Sequence, residues 1–177
     1  MTAIGTSDAF MLMLSTAGSF SWAKKLGGTS ATTIGYAASF DASGAIYTCG
    51  LFNNTVNFDV AVTNFTLTAL NNTNAYVAHY SSSGLLQSVK QYTNTIYNSG
   101  LDIFAHSTGL YVAGYFDAAV NFSPGTSTNT LATTGSGDNY VLKYNYVPAV
   151  IKNLKNEDIA MSVYPNPFKS ELILNLP

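Results

Sequence analysis

His79, His106, Cys49 and six aspartates are the side chains of positions 1–145 suited to acid–base, thiol or metal chemistry. Glycoside hydrolysis would need two carboxyl groups facing one cleft. This stretch has no Glu, and Asp59, Asp102 and Asp117 stand isolated. A calcium site needs a dense set of oxygen ligands. Asp8, Asn74 and Asp138 recur at nearly equal spacing, but each segment brings one side chain, a poor donor set. The single cysteine excludes an intrachain disulfide and a cysteine-based metal knuckle. All seven basic residues are Lys and the net charge is −2, which argues against a nucleic-acid partner, because guanine and phosphate recognition lean on Arg.

The spacing of Asp8, Asn74 and Asp138 is part of a longer repetition. Asp8-Ala-Phe-Met-Leu-Met-Leu-Ser15 aligns with Asn74-Ala-Tyr-Val-Ala-His-Tyr-Ser81 and with Asp138-Asn-Tyr-Val-Leu-Lys-Tyr-Asn145. Gly18 matches Gly84 and Lys24 matches Lys90. Gly44–Phe52 matches Gly109–Phe116 with one residue deleted, Val56-Asn-Phe58 matches Val120-Asn-Phe122, and Leu67 matches Leu131. The chain thus holds two full repeats of about 65 residues, 8–73 and 74–137, and the first strand of a third at 138–145.

The alignment also weighs the chemical candidates. His79 shares its position with Met13 and Lys143, as an outward strand residue would. His106 shares a glycine turn with Asp41, a solvated position, and Cys49 aligns with Ala113, a small packed site with nothing adjacent to activate a thiol. Asp8, Asp41 and Asp138 fall at turns or strand starts, where capping is the expected role. No catalytic residue, cofactor site or metal site is predicted. Four glycosylation-type sequons begin at Asn53, Asn64, Asn71 and Asn121, a frequency that a chain dense in Asn, Thr and Ser produces readily.

Short apolar runs separated by turn glycines predict an all-β chain. Phe10–Leu14 and Tyr76–Tyr80 are apolar at nearly every position, the pattern of strands covered on both faces. Gly50 and Gly114 interrupt strands, where a bulge or a close backbone approach is expected. Sheets that cannot bury both faces alone stack on neighbours, as in propellers and solenoids. Hydrophobic residues are 47% and charged residues only 9%, so Thr, Ser and Asn must supply the surface polarity. No apolar run approaches the roughly 20 residues of a membrane-spanning helix. The start lacks the pattern of a signal peptide and falls on a repeat junction, so the chain reads as a slice of something longer.

The stretches "SDAFMLMLSTAGSFSWAKKLGG", "DASGAIYTCGLF" and "VNFSPGTSTNTLATTGSGDNYVLKYN" resemble the SBBP-type beta-propeller repeat family of bacterial secreted proteins. The resemblance spans about residues 4–145 and implies propeller-type repeats in an incomplete ring. In the second repeat Ser88 stands for Trp22 and His106 for Asp41.

Beyond residue 146 the composition changes. Both glutamates and four of the five prolines lie after this point. Residues 147–158 read as a linker and 159–177 as a second unit, with Tyr164-Pro-Asn-Pro-Phe168 a rigid corner because each proline extends the residue before it. Val163, Tyr164, Pro165, Asn166, Pro167 and Phe168, followed by a short amphipathic strand, resemble the opening of the C-terminal sorting domain of the type IX secretion system. That resemblance implies a truncated, sandwich-like sorting domain, the secretion machinery as partner, and delivery to the medium or the outer-membrane surface.

Together these features describe a secreted or surface-displayed propeller-type repeat protein, non-catalytic, acting as a binding or structural module. Aromatic residues are 13% of the chain, and exposed Tyr among Asn and Thr is the candidate surface for a carbohydrate or protein ligand. The alternative is a piece of a secreted, carbohydrate-active hydrolase whose catalytic part lies elsewhere.

Overall fold

Three turns of one design set the strand boundaries. In Ser15–Gly18, Asp41–Gly44 and Ser81–Gly84 the glycine N–H donates to the first residue's carbonyl at 2.9–3.0 Å. The three glycines have φ of 77°, 79° and 78°, a left-handed conformation that a Cβ resists. The first side chain of each turn then accepts the N–H four residues on: Ser19 to Ser15 Oγ, Ala45 to Asp41 Oδ1 and Leu85 to Ser81 Oγ, at 3.0–3.1 Å.

The computed structural model describes residues 1–59, 64–70, 72–93, 96–122 and 129–144, together with the backbone of 162–164 and 173–175. Its strands are β1 (Ala9–Leu14), β2 (Phe20–Leu26), β3 (Thr33–Phe40), β4 (Ile46–Phe52), β5 (Thr55–Asn57), β6 (Thr66–Thr68), β7 (Asn74–Tyr80) and β8 (Leu86–Tyr92). They continue as β9 (Asn98–His106), β10 (Gly109–Phe116), β11 (Val120–Asn121), β12 (Thr130–Leu131), β13 (Asp138–Tyr144), β14 (Ser162–Tyr164) and β15 (Ile173–Asn175). The chain is all-β among the described residues, and no helix there is long and apolar enough to cross a membrane.

Residues Met1–Tyr146 form one compact unit and Val147–Pro177 another. The first holds three main antiparallel sheets, β1–β2, β3–β4–β7–β8 and β9–β10–β13, with two-stranded ribbons β5–β6 and β11–β12; none closes into a barrel. In the second unit β14 pairs with β15, Val163 opposite Leu174.

The sheets repeat down to their irregularities. Ala9↔Leu26 through Leu14↔Phe20 becomes Ala75↔Tyr92 through Tyr80↔Leu86, with the register shift between Met13 and Leu14 repeated between His79 and Tyr80. Gly35↔Gly50 in β3–β4 becomes Gly100↔Gly114 in β9–β10, and Tyr36 and Leu101 are the equivalent bulged residues. The deleted residue lies in the shorter β9–β10 turn. The four-stranded sheet, however, is out of phase with repeats drawn at 8–73 and 74–137: it joins the second half of one to the first half of the next, through β4–β7 pairing. The segment 53–73 between these strands carries the β5–β6 ribbon and masks the long-range pairing in the sequence.

Two apolar cores separate the main sheets. Met11, Met13, Trp22 and Leu26 of the first sheet pack with Ile46, Phe52, Tyr76, Ala78 and Tyr80 of the second. Tyr47, Cys49, Val77 and Tyr92 on the second sheet's other face pack with Ile103, Val112, Phe116 and Tyr140 of the third. β7 is therefore covered on both faces, as its sequence predicts. β1 is not, contrary to expectation: Phe10, Leu12 and Leu14 are exposed, because no sheet of the described residues lies against that side.

Candidate functional site

Five of the six aspartates that could have formed an acid–base or metal centre are turned instead toward backbone N–H groups: Asp8, Asp41, Asp102, Asp117 and Asp138. Asp8 accepts from Ile4 at 2.6 Å and from Gly5 at 3.1 Å, and Asp138 accepts from Thr134 at 3.3 Å. The Asn74 amide, oriented to satisfy both of its groups, accepts from Leu70 at 3.1 Å. All three aligned residues thus cap the N–H four positions earlier, and each fixes the loop that enters its strand. Lys25 Nζ lies 3.9 Å from Asp8 and donates to the Thr2 carbonyl at 2.7 Å.

The other candidates are equally local. Asp41 Oδ1 accepts from Ser43 N, Ser43 Oγ and Ala45 N. His106 fills the equivalent turn, its Nδ1 3.0 Å from Thr108 Oγ1. Asp117 accepts from Tyr97 N at 2.8 Å, the role that Asn53 plays for Thr32 N at 2.7 Å one repeat earlier. Sequence reasoning leaves Asp117 isolated and sees Asn53 only as a sequon; their shared position in the repeat is the signal that pairs them. Asp102 accepts from Ile103 N at 2.8 Å, and Asp59 is buried beside the Asn57 and Asn64 loop. Among the described residues no three His, Cys, Asp or Glu side chains converge as metal ligands.

His79 departs from the outward position predicted for it. Its ring stacks on Tyr47 with centroids 4.5 Å apart and planes 4° from parallel, and it is half-buried. Burial pushes its pKa below the ordinary histidine value, against the opposing pull of Asp41. Cys49 is fully buried, as a small packed residue should be, and its thiol is pushed up to about 12, by burial first and then by Asp102.

Among the described residues, one place for a ligand is a groove of about 220 Å³ between β1 and β3, and another of about 350 Å³ lies beside Thr2, Asp8, Phe10 and Lys25. Phe10, Met11, Tyr36, Ala38, Thr48 and Tyr76 line the first, an apolar floor whose exposed hydroxyl is that of Tyr36, with Thr48 and Tyr76 buried beneath. The bulge at Tyr36 lifts its side chain out of the sheet, leaving it 45% exposed and hydrogen-bonded to Tyr97. Burial, with Tyr97 adding to it, raises the Tyr36 pKa. Such a surface can hold a neutral ligand by stacking and hydroxyl contacts.

Of the sorting-like motif, Val163 and Tyr164 lie in β14, and Pro165, Asn166, Pro167 and Phe168 lie outside the described residues. So does the 147–158 linker. No protein-family model matches the chain, and no curated protein matches it.

Proposed function

We propose that the chain is a propeller-type repeat module of a secreted or surface-displayed protein that binds or supports rather than catalyses. The observation that carries this reading is the repetition of sheets in one register, with equivalent bulges, turns and loop caps. Consecutive sheets stacked through both faces are how a blade-based architecture builds its core. The engagement of Asp8, Asp41, Asp117 and Asp138 with backbone N–H groups gives these carboxylates a structural task and supports the non-catalytic part.

In this reading Val163–Phe168 opens a sorting segment that meets the secretion machinery, and the ligand is a surface protein or a carbohydrate. The Tyr36 groove suits a neutral sugar, whose face stacks on an aromatic ring while a hydroxyl meets that of Tyr36. Mass spectrometry of culture medium, outer membrane and cytoplasm from the source cells tests export. Peptides of the chain should concentrate in the first two fractions, and confinement to cytoplasm would sink the export reading. A glycan array read with the parent chain and a Tyr36→Ala variant tests the ligand class, with loss of signal in the variant expected.

A further inference from the structure

The second and third sheets meet through a core to which Tyr47, Cys49 and Val77 contribute from one side and Ile103, Leu110 and Val112 from the other. His79 shares a side with Val77, because side chains alternate along β7. Its neighbours across the sheet are Tyr47 and Ser88, with Ser39 beyond Tyr47. Where the first and second sheets meet, the counterpart position holds Met13, packed against that core. One junction thus carries a thioether and the other an imidazole in the same place.

The surroundings of the ring decide which protonation state the second junction accepts. Tyr47, its stacking partner, is 4% exposed, belongs to the core and donates its hydroxyl to Asp41 Oδ2 at 3.3 Å. Lys90 of β8 stands diagonally from His79 on the same side, its Nζ 5.0 Å over the Tyr144 ring of β13. From the third sheet Ala105, Leu142 and Tyr144 pack against this core, and burial raises the Tyr144 pKa. Asp102, His106 and Lys143 lie on that sheet's other side, opposite Ala113, Gly109 and Tyr111. Among these groups Asp41 alone favours the imidazolium, and the loss of water around the ring outweighs it.

We propose that His79 makes the contact between the second and third sheets acid-responsive, its protonation favouring a form in which that contact has opened and the imidazolium is hydrated. In the closed form the ring is half-buried and stacked on Tyr47. In the open form water surrounds it and its pKa returns to the ordinary value, so proton binding pulls the equilibrium toward opening. The closed contact holds in full above pH 6.5 and weakens as pH falls through 6.5 toward the lower folded value. Opening would also break two polar ties across the junction, the bond from Ala105 N to Ser39 Oγ at 2.9 Å and the Lys90–Tyr144 contact.

Cys49 reports on this junction, because it is fully buried in the same core with Gly100 of β9 close against its β-carbon. Dithiodipyridine labels thiols at acid as well as neutral pH, so its rate with the full 177-residue chain can be followed at pH 7.5 and pH 5.5. Divided by the rate of the denatured chain at each pH, that rate gives the open fraction. The fraction should rise several-fold on acidification in the parent and clearly less in His79→Met. His79→Gln, neutral at both pH values, serves if His79→Met does not fold. Hydrogen exchange at the same two pH values, corrected for intrinsic rates, should lose protection in β9, β10 and β13 before β1 and β2. A parent whose open fraction does not rise overturns the proposal, and so does an equal rise in the variant. Protection lost evenly over all three sheets also overturns it, because that is global unfolding and not the opening of one junction.

Discussion

The ring of Tyr140 lies across Gly114 of the adjacent strand, and its hydroxyl donates to the Ser99 carbonyl at 3.0 Å. Tyr76 lies over Gly50 in the same way one repeat earlier, its Cε1 2.9 Å from where a β-carbon would be. The tyrosine supplies the apolar cover that the glycine lacks, and the missing β-carbon is what lets the ring lie flat.

Gly114→Ala should therefore be costly. Its methyl group would overlap the Tyr140 phenol and the Ser99 carbonyl oxygen, and overpacking of this kind costs about 1–3 kcal/mol. In a chain of this length that lowers Tm by about 2–4 °C per kcal/mol. In a Tyr140→Ala background the same substitution should cost less, because half of the obstruction is gone. A double-mutant cycle by urea denaturation checks this, and strict additivity would contradict the pairing.

Asp8 and Asn74 both cap the N–H four positions earlier. Asp8→Asn should therefore keep the Ile4 cap while losing the Gly5 bond and the Lys25 partner, and should cost less than Asp8→Ala. Asp8→Ala removes the acceptor for Ile4 and Gly5 and the partner of Lys25, at a cost of about 1 kcal/mol for an exposed loop. Thermal unfolding of the two variants separates capping from charge. Equal losses in both would mean that the carboxylate, and not the cap, is what matters.

The repeat period, the turns and the roles of Asp8, Asp41, Cys49 and His106 could be read from the chain, since local hydrogen bonding and small packed sites leave their mark on residue type. The phase of the sheets could not. β4 finds β7 across the whole β5–β6 ribbon, and such pairing depends on how a strand's edges are shared rather than on its composition. The bare side of β1 was hidden for a related reason. Phe10, Leu12 and Leu14 are as apolar as Tyr76, Ala78 and Tyr80, and only the presence of a neighbouring sheet distinguishes them.

Cys49 should resist alkylation in the folded chain at pH 8. The thiolate is the reactive form, and a thiol pushed up to about 12 and shut between β4 and β9 supplies almost none of it. Rapid labelling should appear only with denaturant, and mass spectrometry after timed iodoacetamide exposure reads both states. Cys49→Ala, the residue found at the aligned Ala113, should cost about 1 kcal/mol or less. A larger aliphatic side chain should cost more, since the Cys49 β-carbon already lies 3.0 Å from where one would stand on Gly100.

His79 should make stability depend on pH in one direction. Its folded pKa lies below the ordinary 6.5, so between those two values the unfolded chain binds more protons than the folded one. The His79 contribution is then fully present above pH 6.5 and declines as pH falls through 6.5 toward the folded value. Desolvation of the charged form outweighs the attraction of Asp41. His79→Met, the residue found at the aligned Met13, should remove this component while keeping an apolar side chain on Tyr47. Urea denaturation at pH 8 and pH 5.5 checks it: the parent should lose more stability between the two than the variant does. An equal loss in both would place the pH dependence elsewhere in the chain.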